Sequence, residues 1–316
     1  YASLEGTPLL QDEITVALPI FYPRVAVTAA LVPTRVSLGQ TIEAIIDVSN
    51  NEPFDLQNAV VYIRADNFLI DISEYDPTEW EDGFLSLQQG VVPAGSKRQV
   101  VVRLPLRKEV NASQVFGDNP VVFELHGELE FKNDKSERII VPIDGASAQI
   151  NSDLGIKATS RYYSPDGEAL GTGPLPPVVG ETTTYWVFLQ AENQLHRVRD
   201  VVITARLGDQ AGWLGRDSVG AGDPLLYDED NRTLTWRVGI LPDYKTTYDK
   251  DRFGAAMQLP VTRRAEHVGE QLVLLYDVRI SGIDTVTGNR LQAIADDVTT
   301  ELKFDSTAKD DGRVVM

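Results

Sequence analysis

Two acidic loops contain the residues with the clearest metal-binding chemistry. They are "DISEYDPTEWEDG" (71–83) and "YDEDN" (227–231). Clustered carboxylate and amide oxygens are the ligands that Ca²⁺ prefers, and the ion takes about six to eight of them. Neither loop has the spacing of a helix–loop–helix calcium site, so the sequence favours solvated turns and leaves Ca²⁺ as the alternative. The candidate ligands are Asp76, Glu79, Asp82, Asp228 and Asp230.

Catalytic chemistry has little support in the sequence. The three histidines, His126, His196 and His267, show no ligand spacing, and His196 is predicted to lie in a turn. The chain has no cysteine, no Gly-x-Ser-x-Gly elbow and no phosphate-binding glycine loop. We therefore expect a protein that is not an enzyme and has no cofactor, Ca²⁺ excepted.

Four aromatic side chains are predicted to lie outside the core. Trp186 and Phe188 have the opposite phase to the apolar residues of their strand, and Trp80 and Trp213 lie in loops. Such residues are more often loop anchors or second-layer packing. The alternative is a contact with a protein or a glycan.

Two further features are independent of the core. Asn111 and Asn231 begin one glycosylation sequon each. Residues 1–21 contain an apolar residue at every second position of one stretch, which predicts a strand. It could end a preceding domain, cap a sheet edge or add to a neighbouring subunit. The residues of this pattern are Ile14, Val16, Leu18 and Ile20.

The charge of the chain restricts its partners. Forty-seven acidic and 29 basic residues give a net charge of −18 over 316 residues. Such a charge repels nucleic acid and anionic lipid, so we expect neither as a partner. No apolar run is long enough to span a membrane, although a leader or an anchor outside these residues remains open.

An internal repeat predicts the architecture. "FLSLQQGVVP" (84–93) matches "TLTWRVGILP" (233–242) at a shift of 149, and "GQTIEAIIDVS" matches "GETTTYWVFLQ" at 141. Two further segments match at shifts of 155 and 151, always with the apolar phase kept. In the opening pair, Leu85, Leu87 and Val91 are predicted to face inward, as are their counterparts Leu234, Trp236 and Ile240.

The fold class predicted from this repeat is all-β, with two tandem immunoglobulin-like antiparallel β-sandwiches of about seven strands each. We assign residues 1–21 to an N-terminal extension, 22–150 and 151–304 to the sandwiches, and 305–316 to a C-terminal tail. The stretch 144–152 is predicted to be a short polar join that restricts the swing of the two units and offers a further Ca²⁺ position.

Two stretches resemble known surface repeats. "LYDEDNRTLTWRVGILP" is similar to an immunoglobulin-like repeat of bacterial cell-surface proteins, and "VSLGQTIEAIIDVSNNEPFDLQNAVVYI" resembles the related cell-adhesion domain called CARDB. The resemblance covers about residues 22–304, with Leu87 and "DPTEWEDG" departing from the pattern. It implies an extracellular or cell-envelope protein, usually without enzymatic activity, and it carries over no binding residues.

The function expected from these features is a non-enzymatic extracellular structural protein of a prokaryotic cell surface. It would be a surface-layer, filament or anchored ectodomain module whose partners are further copies or neighbouring surface proteins. The alternatives are an adhesin that binds a glycan or a protein through its loops, and a non-catalytic module of a larger secreted enzyme.

Overall fold

The computed structural model describes residues 2–4, 7–9, 22–65, 68–75, 80–81, 83–110, 121–193, 195–243, 250–309 and 311–316. These residues form strands, with short 3₁₀ turns at Ile72–Glu74, Lys250–Phe253 and Ala265–His267. The strands are β1 (Ala2–Leu4), β2 (Thr7–Leu9), β3 (Val25–Val32), β4 (Arg35–Val36), β5 (Thr41–Asn50), β6 (Leu56–Ala65), β7 (Trp80–Glu81), β8 (Phe84–Val92), β9 (Lys97–Pro105), β10 (Val122–Lys132), β11 (Arg138–Ile150), β12 (Leu154–Arg161), β13 (Thr182–Asn193), β14 (Val198–Leu207), β15 (Asp217–Val219), β16 (Leu226–Asp228), β17 (Thr233–Leu241), β18 (Gly254–Thr262), β19 (Val273–Asp284), β20 (Arg290–Ile294) and β21 (Val298–Thr299).

Strands β3 to β11 form the first sandwich, which we call sandwich 1. One face has the order β7-β8-β6-β10-β11, and the other has β3-β5-β9. Neighbouring strands are antiparallel, except that β11 pairs in parallel with β3 and β4 and so joins the two faces. Strands β1 and β2 pair only with each other.

Strands β12 to β21 form sandwich 2, which repeats this arrangement. Its faces have the orders β12-β13-β18-β15 and β16-β17-β14-β19-β20, and β21 pairs with β19. The predicted all-β class with two tandem antiparallel sandwiches is therefore confirmed.

Each sandwich has its own hydrophobic core, built from the apolar alternation of the sequence. In β5, Ile42, Ala44, Ile46 and Val48 are at most 1% exposed. In β13, their counterparts Thr183, Tyr185, Val187 and Leu189 are at most 2% exposed. A period of two puts alternate side chains on one face, which explains why the phase predicted from sequence holds in these strands.

The phase fails at the repeated Gly-x-x-Pro. Val91 and Ile240 were predicted to face inward, but they are 45% and 56% exposed, while Val92 and Leu241 are fully buried. The pairing of these strands with β6 and β14 shifts register next to the glycines, at Gly90 and Gly239. Both have positive φ, 68° and 85°. A bulge inserts one residue, so the following side chain turns inward.

The assignment of residues 305–316 to a tail is wrong. Ala308 and Val314 belong to the core of sandwich 2, and Asp305 is 1% exposed. The Asp305 carboxylate accepts backbone hydrogen bonds from Tyr162 and Tyr163 at 2.8 and 2.7 Å, so this segment is fixed to the sandwich. The join is also shorter than expected, because β11 continues to Ile150 and β12 begins at Leu154.

Candidate functional site: the junction between the sandwiches

Each sandwich repeats a buried asparagine at the end of its second long strand. The Nδ2 of Asn50 donates to the carbonyls of Val92 and Pro93, both at 3.0 Å. In sandwich 2, the Nδ2 of Asn193 donates to the carbonyl of Pro242 at 2.8 Å. Each asparagine thus satisfies the carbonyl of the proline that ends the Gly-x-x-Pro repeat, and the repeat has a structural role in both units.

A second repeated position differs between the copies. Asn133 directly follows β10, and at the shift of 151 its counterpart is Asp284, the last residue of β19. The Oδ1 of Asn133 accepts hydrogen bonds from the backbone of Lys135 and Glu137, at 3.0 and 2.8 Å. The Oδ1 of Asp284 holds the equivalent turn by accepting from Val286 and Thr287, at 2.7 and 3.0 Å. Both residues therefore close a hairpin, but only the second copy is a carboxylate.

The second oxygen of Asp284 contacts the link between the sandwiches. Its Oδ2 accepts a hydrogen bond from the backbone N–H of Ser152 at 2.6 Å and lies 3.3 Å from Nδ1 of His196. The Ser152 hydroxyl donates to Oδ1 of Asn193 and accepts from the backbone N–H of His196. The link is therefore held by Asn193 and Asp284, the two residues of sandwich 2 whose counterparts in sandwich 1 are described above.

His196 and its neighbour enter sandwich 1. The Nε2 of His196 accepts a hydrogen bond from the backbone N–H of Val121 at 2.9 Å, and Leu195 belongs to the core of sandwich 1. Since Nε2 accepts, the ring is neutral with its proton on Nδ1, where it donates to Asp284; we assign this tautomer from the hydrogen bonds. Leu195 and His196 therefore connect the interior of one sandwich to a carboxylate of the other.

A second bridge lies beside the first. The Nδ2 of Asn151 donates to the Ser37 hydroxyl at 2.9 Å, and its Oδ1 accepts from Nδ2 of Asn289 at 2.8 Å. The backbone N–H of Asn151 also donates to the carbonyl of Val36 at 2.7 Å. Asn151 thus joins a residue of sandwich 1 to one of sandwich 2, with a polar groove of about 420 Å³ beside it.

The electrostatics of the junction depend on Asp284. Burial alone would raise the pKa of its carboxyl, but hydrogen bonds from His196 and from the backbone of Ser152, Thr287 and Val286 outweigh burial and hold the pKa below the ordinary value. Asp284 is fully buried and His196 is 6% exposed. A buried carboxylate with all these donors stabilises the fold only while it stays charged and each donor stays in place.

Acidic residues also lie close together near the junction. The pKa of Asp153 is raised, first by partial removal from water and then by the negative charges of Glu109 and Glu192. Across the described residues, no group of three or more His, Asp or Glu side chains has a geometry that could hold a metal ion.

Of the predicted calcium ligands, the structure describes Asp228 and Asp230. The Oδ1 of Asp228 accepts from the backbone of Asp230 and Asn231, at 3.1 and 3.2 Å, and its Oδ2 accepts from Nδ2 of Asn231 at 2.7 Å. These hydrogen bonds lower the pKa of Asp228 and fix a turn, so its oxygens already have partners. Residues Asp76, Glu79 and Asp82 lie outside the described residues, as does the sequon residue Asn111.

The predicted surface aromatics contact the protein itself. The Nε1 of Trp186 donates to the carbonyl of Leu170 at 3.0 Å, and half-buried Phe188 lies on the same outer face of β13. Trp213 lies 6.0 Å from the ring of Tyr227, and Trp80 lies 5.7 Å from that of Tyr75. The three tryptophans thus contact the protein itself, and the alternative of a contact with a protein or a glycan stays a prediction. The pattern residues Ile14, Val16, Leu18 and Ile20 lie outside the described residues.

Sequence reasoning missed the junction because its residues are far apart in the chain. His196 was placed in a turn, and its partners Val121 and Asp284 are 75 and 88 residues away. One signal was present: the repeat aligns Asn133 with Asp284, a change to a carboxylate that the hairpin does not need.

Comparisons with known proteins give likenesses of fold only. No model of a protein family matches the chain, and no curated protein matches it. The resemblance to surface repeats therefore stays a prediction. No helix in the described part of the chain is long and apolar enough to cross a membrane.

Three solved structures illustrate the likeness. The type II cohesin dyad from the adaptor ScaA scaffoldin of Acetivibrio cellulolyticus is 10% identical at a TM-score of 0.28, with 84% of this chain and 94% of that chain covered. The major pilin subunit BcpA of Bacillus cereus is 9% identical at 0.32, with 87% and 69% covered. The alkylpurine DNA glycosylase AlkC of Pseudomonas fluorescens, solved with DNA, is 13% identical at 0.25, with 41% covered. The match spans only 31% of the glycosylase's length. We take no function from these likenesses.

Proposed function

We propose that this chain is a non-enzymatic structural module of a prokaryotic cell surface, in which two sandwiches act as one rigid spacer. The observation that carries the proposal is the junction, where Asp284 and His196 bond across the link and Leu195 enters the other core. A spacer needs a fixed angle between its units, and buried polar contacts with defined partners supply one.

The location outside the cell rests on the sequence. The chain lacks cysteine, is strongly acidic and resembles bacterial surface repeats, and these features suit a surface-layer, filament or anchored ectodomain module that meets further copies or other surface proteins. The adhesin alternative invoked exposed loops and Trp residues. Trp186, Trp213 and Trp80 make intramolecular contacts, so these three side chains do not favour it.

The proposal is tested in the source cells. Intact cells are treated with a protease that cannot enter them, and the full chain is followed with an antibody next to a cytoplasmic control protein. We expect the chain to be cut or released while the control survives. Survival of the chain on intact cells, with cleavage only after lysis, would exclude a surface module.

A second arm tests the spacer role. A chain carrying His196→Ala and Asp284→Asn is expressed at the wild-type level, and the thickness and order of the surface are compared by electron microscopy of thin sections. We expect a disordered surface at equal abundance. An unchanged surface with a detectably loosened junction would show that rigidity is not the function.

A further inference from the structure

The outer edge of β9 in sandwich 1 is only partly paired. Strand β9 is the last of its sheet, and its partner on the inner side is β5. At the far end of the outer side, the carbonyl of Pro105 accepts a hydrogen bond from Asp71 at 2.9 Å, and the N–H of Arg107 donates to Leu69 at 2.8 Å. Alternate residues point the same way along a strand, so the backbone groups of Gln99 and Val101 face outward too. Those groups have no partner among the described residues.

The same edge is filled in sandwich 2. Strand β15 pairs antiparallel with β18, with Ser218 opposite Ala256. The N–H of Gln258 also donates to the carbonyl of Arg216 at 3.0 Å. At the repeat's shift of 155, Ala256 corresponds to Val101. The fold therefore has a place for one more strand, and among the described residues of sandwich 1 nothing fills that place at Gln99 and Val101.

The open edge has a defined chemistry. Val101 is 54% exposed on the outer face, while Val102 is buried and Val100 is half-buried against the core. The counterpart of Val100 in sandwich 2 is Ala255. The residue opposite Ala255 on β15 is Val219, which packs on the core. A strand that fills the edge therefore needs apolar residues at every second position. Of the basic residues on this strand, Arg103 is ion-paired with Glu43 and Arg98 donates to the carbonyl of Gln89, which leaves Lys97 at the end of the strand.

We infer that the open edge of β9 is a strand-addition site for residues 13–19 of the same chain, "EITVALP". Antiparallel pairing with Thr15 opposite Val101 places Ile14, Val16 and Leu18 toward the core side. The pairing ends before Arg103, whose carbonyl accepts the Tyr75 hydroxyl and whose guanidinium pairs with Glu43 at 3.2 Å.

Proline limits the register. Positions opposite Val101 and Gln99 must donate an N–H to the edge, and Thr15 and Ala17 do so in this register. Shifting the segment by two residues would place Pro19 opposite Gln99, where its nitrogen has no hydrogen to donate. In the assigned register Pro19 lies opposite Lys97, where the pairing ends.

The length of chain permits the segment to reach its own sandwich. The added strand would lie three strand spacings from β3, about 14 Å. The six residues from Pro19 to Val25 reach about 20 Å when extended. The direction also agrees, because a segment paired antiparallel to β9 in this register would end beside Lys97, at the end of sandwich 1 where β3 begins. A segment tethered this closely meets its site at a high effective concentration, which favours the same chain over a second copy.

A disulfide tests the assignment, since the chain has no cysteine. The variant Thr15→Cys, Val101→Cys is oxidised at low micromolar concentration, and its products are separated on a non-reducing gel and identified by mass spectrometry. The matched control pairs Thr15→Cys with Val91→Cys, an exposed valine of β8 in the same sandwich. We expect an intramolecular disulfide between the two introduced cysteines that forms at least ten times faster than the control bond.

Two results would overturn the assignment. Equal rates for the two pairs would show that residues 13–19 have no preference for β9. A bond formed only between chains would make a second copy the occupant. Neither result depends on where the protein is located.

Hydrogen exchange gives an independent measurement in the full chain. The substitution Thr15→Pro removes a donor to the edge, and Gln11→Pro serves as a control outside the pairing. We expect the amide of Val101 to exchange at least ten times faster in Thr15→Pro only. An amide of Val101 that exchanges at the unprotected rate in the wild type would contradict the proposal.

Discussion

Asp284→Asn separates the junction from the hairpin that the same residue closes. The amide keeps an oxygen for the turn, as Asn133 does at the equivalent hairpin of sandwich 1. It replaces the oxygen facing Ser152 and His196 with an NH₂ group. The backbone N–H of Ser152 and the Nδ1–H of His196 then face another hydrogen-bond donor instead of an acceptor. The substitution therefore removes the contacts to the link while the local turn remains.

The cost follows from the two hydrogen bonds. A hydrogen bond to a charged group contributes about 1.5–3 kcal/mol, and the 3.3 Å contact with His196 is the weaker of the two. The free energy of unfolding should fall by about 2–4 kcal/mol. Flipping the histidine tautomer does not recover the loss, because Nε2 would then present a proton to the N–H of Val121.

Urea unfolding followed by circular dichroism measures this cost, and small-angle X-ray scattering measures the spread of interdomain angles. The matched control is Asp305→Asn, since Asp305 is a buried carboxylate that accepts hydrogen bonds from Tyr162 and Tyr163 within sandwich 2. We expect both variants to lose stability and only Asp284→Asn to broaden the scattering envelope. If Asp284→Asn lowered the free energy of unfolding by less than about 0.5 kcal/mol, the range of ordinary surface substitutions, Asp284 would not hold the junction.

Three further outcomes are expected. Gly239→Ala should lower the free energy of unfolding by about 1 kcal/mol because of its positive φ, with Gly239→Asn costing less; equal losses in urea unfolding would contradict the bulge. Trp236→Leu, which installs the Leu87 type, should cost about 3–4 kcal/mol, because it leaves a cavity and removes the Nε1 hydrogen bond to the carbonyl of Ala221; a thermal melt within about 2 °C of wild type would contradict this. The pKa of Asp284 is lowered in the fold, so its contribution is complete above the ordinary carboxyl value and is lost as pH falls through the lowered value. Melting from about pH 7 to pH 2 should show acid destabilisation below about pH 4 that is smaller in Asp284→Asn, and parallel curves would contradict it.

The sandwiches were predictable because alternation and repeat agree. In β5 and β13 the inward residues have one phase in both copies, and a slip of one residue would expose every one of them. In β8 and β17, the bulges at Gly90 and Gly239 interrupt the alternation. Glycine inside a strand pattern is itself a bulge signal, and it was present twice at the same place.

The junction was not predictable from spacing. His196, Val121 and Asp284 meet only where the two folded sandwiches contact each other, and no local pattern encodes contacts over 75 or 88 residues. The C-terminal segment was misassigned for a related reason. Asp305 and Ala308 look like a polar tail in sequence, but Asp305 accepts hydrogen bonds from residues 142 and 143 positions away.

A distribution of distances between the two sandwiches shows whether the junction holds them as one rigid body. Spin labels are attached through Val91→Cys and Ile294→Cys, exposed residues of sandwich 1 and sandwich 2 in a chain without cysteine. Double electron–electron resonance then records the label separation with and without Asp284→Asn. We expect one narrow distribution that broadens in Asp284→Asn. A broad distribution in the otherwise unaltered chain, unchanged by Asp284→Asn, would contradict it.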